Sequence, residues 1–164
     1  VKTAADVITV TVREDGAIGR GEGVPYQRYG EDVSSALAAV EEVREAVEAG
    51  ADRHRLLSIL PAGAARNAID CALWELEAHR SRRDVASMIG LPPPGRMICA
   101  LTIVIDSPDA MESDARRLAD APLLKVKVDS NDPAAQIRAV RNGAPNATLS
   151  VDPNERWDKR LVEA

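Results

Sequence analysis

The chain has 164 residues, 45% apolar and 29% charged, a globular composition too apolar for disorder. Acidic residues outnumber basic ones, 26 to 21, giving a net charge of −5 and a pI near 5.1, which excludes a nucleic-acid binder that works mainly by charge. No apolar run approaches the ~18 residues of a membrane span, and Val1–Asp6 lacks the charged start and apolar stretch of a secretory signal.

In chain order, residues 7–13 are β-branched, with Ile8, Val10 and Val12 on one face, and read as a strand. Glu14-Asp15-Gly16 is a turn signal, and Ile18–Glu22 returns as the second strand of a hairpin. That strand carries Gly19, Gly21 and Gly23. The spacing is G-x-G-x-G with no helix directly after it, so it is not a dinucleotide fingerprint. Val24–Gly30 is a loop holding both tyrosines and Arg28, either a packed connector or a substrate-facing loop.

Helices follow over Glu31–Ala49 (apolar stripe Val33, Leu37, Val40, Val43, Val47), Asp52–Leu60 and Gly63–His79, with a further turn or two over Asp84–Ile89. The small residues Ala65, Ala68 and Ala72 in the third helix predict close approach of a neighbour. Pro92-Pro93-Pro94 marks the domain boundary, giving domains 1–94 and 95–164. Cys71 and Cys99 have no CxxC partner and read as buried thiols rather than a disulfide or zinc site. His54 and His79 stand alone among charged helical residues and read as solvated.

Beyond the prolines the pattern changes. Met97–Val104 reads as a near-continuous apolar strand. Ser107-Pro108 opens a helix, Leu123–Val128 is a strand, and Asp132-Pro133 opens the next helix. Ala147–Val151 is a third strand, and a third helix begins near Asp158. These are parallel βα units whose strands are expected to be buried on both faces. Only 68 residues follow Arg96, whereas a closed (β/α)8 barrel takes ~250 and at least ~200. The chain therefore reads as an α+β unit followed by the first βα units of an incomplete TIM-type barrel.

Arginine outnumbers lysine 17 to 4, yet Lys125 and Lys127 lie two apart in an apolar run. Alternation puts both on one face. In a barrel they face its interior near the catalytic mouth, where desolvation and a like charge favour loss of a proton and make a general base. The plainer alternative is an edge strand guarded by lysines. The next strand ends at Asp152-Pro153-Asn154, where a carboxylate suits a magnesium ligand or catalytic acid, or else a helix cap.

Taken together, Arg20–Glu31 (RGEGVPYQRYGE), Ala65–Leu76 (ARNAIDCALWEL), Leu101–Asp106, the K-x-K strand Leu124–Lys127 and Val151–Trp157 (VDPNERW) resemble the enolase superfamily. The subgroup is the muconate-lactonizing-enzyme-like one, and the chain is most similar to dipeptide (L-Ala-D/L-Glu) epimerases. Val104 and Pro153 depart from the family pattern, which has glycine and alanine there. The first 94 residues then correspond to the capping domain. The resemblance implies a Mg2+-dependent epimerase that removes and returns the α-proton of a carboxylate through an enediolate. Lys127 would be one acid/base catalyst, and Lys125 would depress its pKa and sit near the substrate carboxylate. Asp152 would be the first of three magnesium ligands. Thr102 and Asn154 would contact substrate. Tyr26 and Arg28 would belong to a lid, with Arg28 meeting an anionic side chain.

Cycloisomerisation of muconate type and o-succinylbenzoate-type dehydration share the K-x-K pair and stand as alternatives. The family's first strand, two metal ligands and second lysine have no counterpart, so the chain is expected to be truncated at both ends and inactive alone. The expected partners are a small-molecule carboxylate or dipeptide and further copies of the chain in a homo-oligomer, with neither nucleic acid nor membrane. The expected location is cytoplasmic.

Overall fold

The computed structural model describes residues 4–162. The chain divides into two compact units, one ending at Pro94 and the other beginning at Gly95.

In the first unit, β1 (Ile8–Glu14) and β2 (Ala17–Gly23) pair antiparallel, with Ile8 opposite Gly23 and Glu14 opposite Ala17. The two-residue turn between them has φ of 49° at Asp15 and 81° at Gly16. That left-handed pair matches strand twist and suits Asp-Gly. A 3-10 turn over Gln27–Tyr29 ends on Gly30 at φ 77°. Four helices follow: α1 (Val33–Glu48), α2 (Arg53–Ile59), α3 (Ala64–Ser81) and α4 (Val85–Met88).

Helix α1 starts on a capping box. The Asp32 carboxylate accepts the Ser35 N–H at 2.7 Å, and Ser35 Oγ accepts the Asp32 N–H at 2.9 Å. Its buried stripe is Ala36, Val40, Val43 and Val47, not Val33 and Leu37, which are exposed. Leu37 lies about 100° round the helix from Ala36, so it falls outside the stripe.

The three glycines of β2 explain how α3 docks. A Cβ on Gly19, Gly21 or Gly23 would stand within 3.0 Å of the carbonyl oxygen of Ala72, Ala68 or Ala64 respectively. Two strand residues advance about 6.6 Å and four helix residues about 6.0 Å, so alternate glycines meet every fourth helical residue. The G-x-G-x-G spacing is thus a bare strip of backbone on which a helix lies. Ile8, Val10 and Val12 stand opposite these glycines and pack with α1–α3 into the first core, beside Leu56, Ala68, Ile69 and Leu73.

His79 is exposed, as expected, and its Nδ1 also lies 2.6 Å from the Ile18 carbonyl oxygen, tying the end of α3 to the hairpin. One expectation changes here. Cys71 is exposed on the outer side of α3, and Cys99 is exposed as well. Neither thiol is buried.

The second unit holds a parallel sheet, β3 (Leu101–Ile103), β4 (Leu123–Lys127) and β5 (Thr148–Asp152), with β4 central. Helix α5 (Pro108–Arg117) is capped by Ser107 and α6 (Pro133–Gly143) by Asp132; α7 (Lys159–Val162) is one short turn. Met111, Ala115, Val140 and Ala144 cover Ile103, Leu124, Val126 and Val128, all of them buried. Gly143 allows α6 to reach α5, since a Cβ there would meet the Glu112 carbonyl.

Among the described residues of this unit, the helices cover one face of the sheet, whereas burial of both faces was expected. Leu123, Lys125 and Lys127 on the other face are half-buried. The Met97–Val104 run also shortens to a three-residue strand, because its pairing with β4 spans only Leu101–Ile103. Met97 and Ile98 lie outside it and are exposed. This α+β unit followed by βα repeats is the start of a barrel architecture.

Candidate active site

Parallel register places the polar residues of the sheet side by side. Thr102, Lys125 and Ser150 stand in one row, and Lys127 and Asp152 in the next row towards the C-terminal ends. In parallel sheets that end carries binding and catalysis. Lys125 Nζ lies 2.8 Å from Asp152 Oδ2, and Lys127 Nζ lies 3.7 Å from the same oxygen. Lys127 also donates to Asn154 Oδ1 at 3.0 Å. The two ammonium groups share one carboxylate oxygen, whose negative charge offsets their repulsion.

The turn after β5 aims these groups. Asn154 and Glu155 both have left-handed backbones, at φ 48° and 64°. Asn tolerates this; for Glu it costs about 1–2 kcal/mol. The turn is held by the Asn154 N–H, which donates to Asp152 Oδ1 at 2.9 Å, and by the Arg156 N–H, which donates to the Pro153 carbonyl. The hydrogen bond from Lys125 and the Asn154 N–H, with the two lysine charges, hold the Asp152 carboxyl below the ordinary carboxylate range against a smaller desolvation effect.

Thr102 is on this face of β3 and exposed. Tyr26 and Arg28 belong to the first unit, in the loop between Gly23 and Asp32; Tyr26 is half-exposed and packs edge-on to Tyr29, with ring centroids 6.3 Å apart. Lys125, Lys127, Asp152 and Asn154 are thus brought into one cluster, with Thr102 in register beside it.

Residues 1–90 match the mandelate racemase / muconate lactonizing enzyme N-terminal domain family. The chain belongs to that family. It is 46% identical over 158 residues to the L-Ala-D/L-Glu epimerase of Escherichia coli K12, covering 95% of this chain and 49% of that protein. A solved enolase family member from Agrobacterium tumefaciens, with homology to dipeptide epimerases and with bound sodium and L-Ala-L-Glu, is 41% identical at a TM-score of 0.89. That match covers 97% of this chain and 49% of the other. The Enterococcus faecalis V583 dipeptide epimerase, complexed with Mg and the dipeptide L-Leu-L-Tyr, is 26% identical at a TM-score of 0.80, covering 93% and 47%. The chain spans about half the length of the curated relatives it matches.

Among the described residues of this cluster, Asp152 is the one carboxylate available to magnesium. Among the described residues no three His, Cys, Asp or Glu side chains come together as a metal site. Magnesium demands near-octahedral oxygen coordination, and Oδ2 of Asp152 is already bridged by two ammonium groups. The described residues alone do not make a divalent site. Among them, too, no helix is long and apolar enough to cross a membrane.

Sequence reading missed four residues. Ser150 is paired in register with Lys125 and exposed on its face; its place two residues before Asp152 was the available signal. Glu31 reaches 33 residues along the chain, and its Oε1 accepts the Ala64 N–H at 2.8 Å, capping α3 where Gly63 has no side chain to do so. Gln136 and Trp157 brace the loops behind the cluster. The Glu31–Ala64 and Trp157–Asp129 pairings, 33 and 28 residues apart, have no local sequence signal.

Proposed function

We propose that the protein carrying this chain is a dipeptide epimerase of the L-Ala-D/L-Glu type, in which Lys127 removes or returns the α-proton of a carboxylate substrate. The observation that carries this reading is the pair of lysines flanking the Asp152 carboxylate on the open face of a parallel sheet, at its C-terminal end.

In this reading Lys127 is the proton-transfer group. Asn154 Oδ1 fixes its ammonium in one orientation, so that proton transfer takes place from a defined position. Lys125, in line with Thr102, lies where an anionic carboxylate is held, and Thr102 adds a hydroxyl donor. Tyr26 and Arg28 supply a loop whose guanidinium meets the anionic side chain of a Glu-containing dipeptide. Asp152 would give Mg2+ one of its oxygen ligands. When bound, that ion supplies stabilisation of negative charge on the deprotonated substrate. The domains are 1–94, a cap, and 95–164, the start of the barrel. A cytoplasmic location suits the free thiols of Cys71 and Cys99, and we place the protein there as a homo-oligomer.

Incubation with L-Ala-L-Glu in D2O tests the reading. Deuterium is expected at the Glu α-carbon together with the L-Ala-D-Glu epimer, and Lys127→Ala is expected to abolish both with the fold intact. Exchange without epimer would point to the cycloisomerase or dehydratase chemistries, and undiminished exchange in Lys127→Ala would remove that residue from its role.

A further inference from the structure

Asp129 lies two residues beyond Lys127, and every polar group it has is engaged. Its N–H donates to Gln136 Oε1 at 3.1 Å, and its carbonyl accepts the Trp157 indole N–H at 3.0 Å. Its carboxylate accepts the Asn131 N–H at 2.9 Å and the Asn131 side-chain amide at 3.2 Å. Gln136 is a polar side chain only 6% exposed, in the first turn of α6. Trp157 packs its ring on the core formed by Ile103, Leu124 and Val126.

These contacts join two separate pieces of chain. Gln136 fixes the segment leaving β4, which carries Lys127. Trp157 fixes the segment leaving β5, which carries Asp152 and the left-handed pair Asn154 and Glu155. The main-chain ladder reaches only as far as the Val128 N–H, which donates to the Asp152 carbonyl at 3.2 Å. Past that point the two strand exits are connected through Asp129. A buried amide and an indole N–H are costly to leave unpaired, so both contacts resist being broken.

We propose that Gln136 and Trp157 are positioning residues that, through the backbone of Asp129, set the Lys127–Asn154–Asp152 geometry. The inference rests on the functional reading above for its catalytic meaning. A side chain displaced by about 1 Å from a reacting atom can lose ~100-fold in rate, so loss of either brace acts on the lysine without touching it.

The test uses the intact protein carrying this chain, labelled with 15N-lysine; four of the lysines lie in this chain, and Lys127 is assigned with Lys127→Arg. Trp157→Phe removes the indole N–H but keeps an aromatic ring on the core. Gln136→Met removes the acceptor at similar volume. Trp74→Phe, in the first unit, is the control. Both brace variants are expected to move the Lys127 Nζ resonance and to lower kcat for α-proton exchange about tenfold or more, with KM held within about twofold and the control unchanged. A Lys127 resonance that stays in place in both folded variants overturns the proposal, as does an equal shift in the control. If wild-type protein shows no exchange while the resonance still moves, the functional reading fails and the brace stands. If a variant does not fold, the wild type decides: the Trp157 indole hydrogen must exchange slowly with solvent, and free exchange overturns the brace.

Discussion

Lys125 and Asp152 form an ion pair at 2.8 Å across adjacent parallel strands, and the Lys127 ammonium lies 3.7 Å from the same carboxylate oxygen. The pairing makes Asp152 a sensitive reporter of the cluster. Lys125→Met removes the largest influence that holds its carboxyl below the usual range. The Asp152 pKa is expected to rise towards the ordinary ~3.9, read from its 13Cγ shift across an acid titration. An unmoved titration would mean that the ion pair does not persist in solution.

Acid stability should depend on Asp32. The Ser35 backbone and side-chain hydrogen bonds keep its carboxyl below the ordinary value. A folded pKa lower than the unfolded one stabilises the fold above ~3.9, and that contribution is lost as pH falls through the folded value. Asp32→Asn keeps a capping oxygen but cannot titrate. The difference in stability between wild type and Asp32→Asn should therefore be level near neutrality and change below about pH 4, as measured by urea unfolding at each pH.

Gly21→Ala should be among the most damaging substitutions in the first unit. The new methyl would meet the Ala68 carbonyl and the Ala72 backbone N inside 3.0 Å, and backbone cannot swing aside as a side chain can. A loss of about 3 kcal/mol is expected, at the upper end of overpacking costs. Gly95→Ala has open space around the added methyl and should be close to neutral. Denaturant midpoints of the two variants give the comparison directly.

Removing the Glu31 carboxylate leaves the N-terminus of α3 without its long-range cap. Glu31→Ala should cost about 1 kcal/mol, and Glu31→Gln, which keeps an acceptor, should cost less. Amide hydrogen exchange at Ala64 and Ala65 reports the local effect. Equal protection in all three proteins would show that the carboxylate does not cap the helix.

Local chemistry made much of this fold legible. Asp15-Gly16 specified its turn, Ser107-Pro108 and Asp132-Pro133 opened helices where their caps and fixed φ demand, and alternation put Lys125 and Lys127 on one side of a strand. Those features depend on neighbours a few residues apart, which a sequence displays. Burial did not follow from the same patterns. Leu37, Met97, Ile98 and Cys71 are apolar or thiol side chains left exposed, because exposure depends on which surfaces other elements cover.

Residue order alone picks out the groups able to do chemistry: a paired lysine strand, a strand-end Asp-x-Asn and a loop of Tyr and Arg. Their arrangement came from folding. Strand register set Lys127 opposite Asp152, the bare glycine backbone of β2 admitted α3, and Glu31, Gln136 and Trp157 found partners up to 33 residues away. The physical reason is one of range. Conformational preference and alternation act within a few residues, whereas hydrogen bonds and close packing act through space, between residues that only the folded chain brings together.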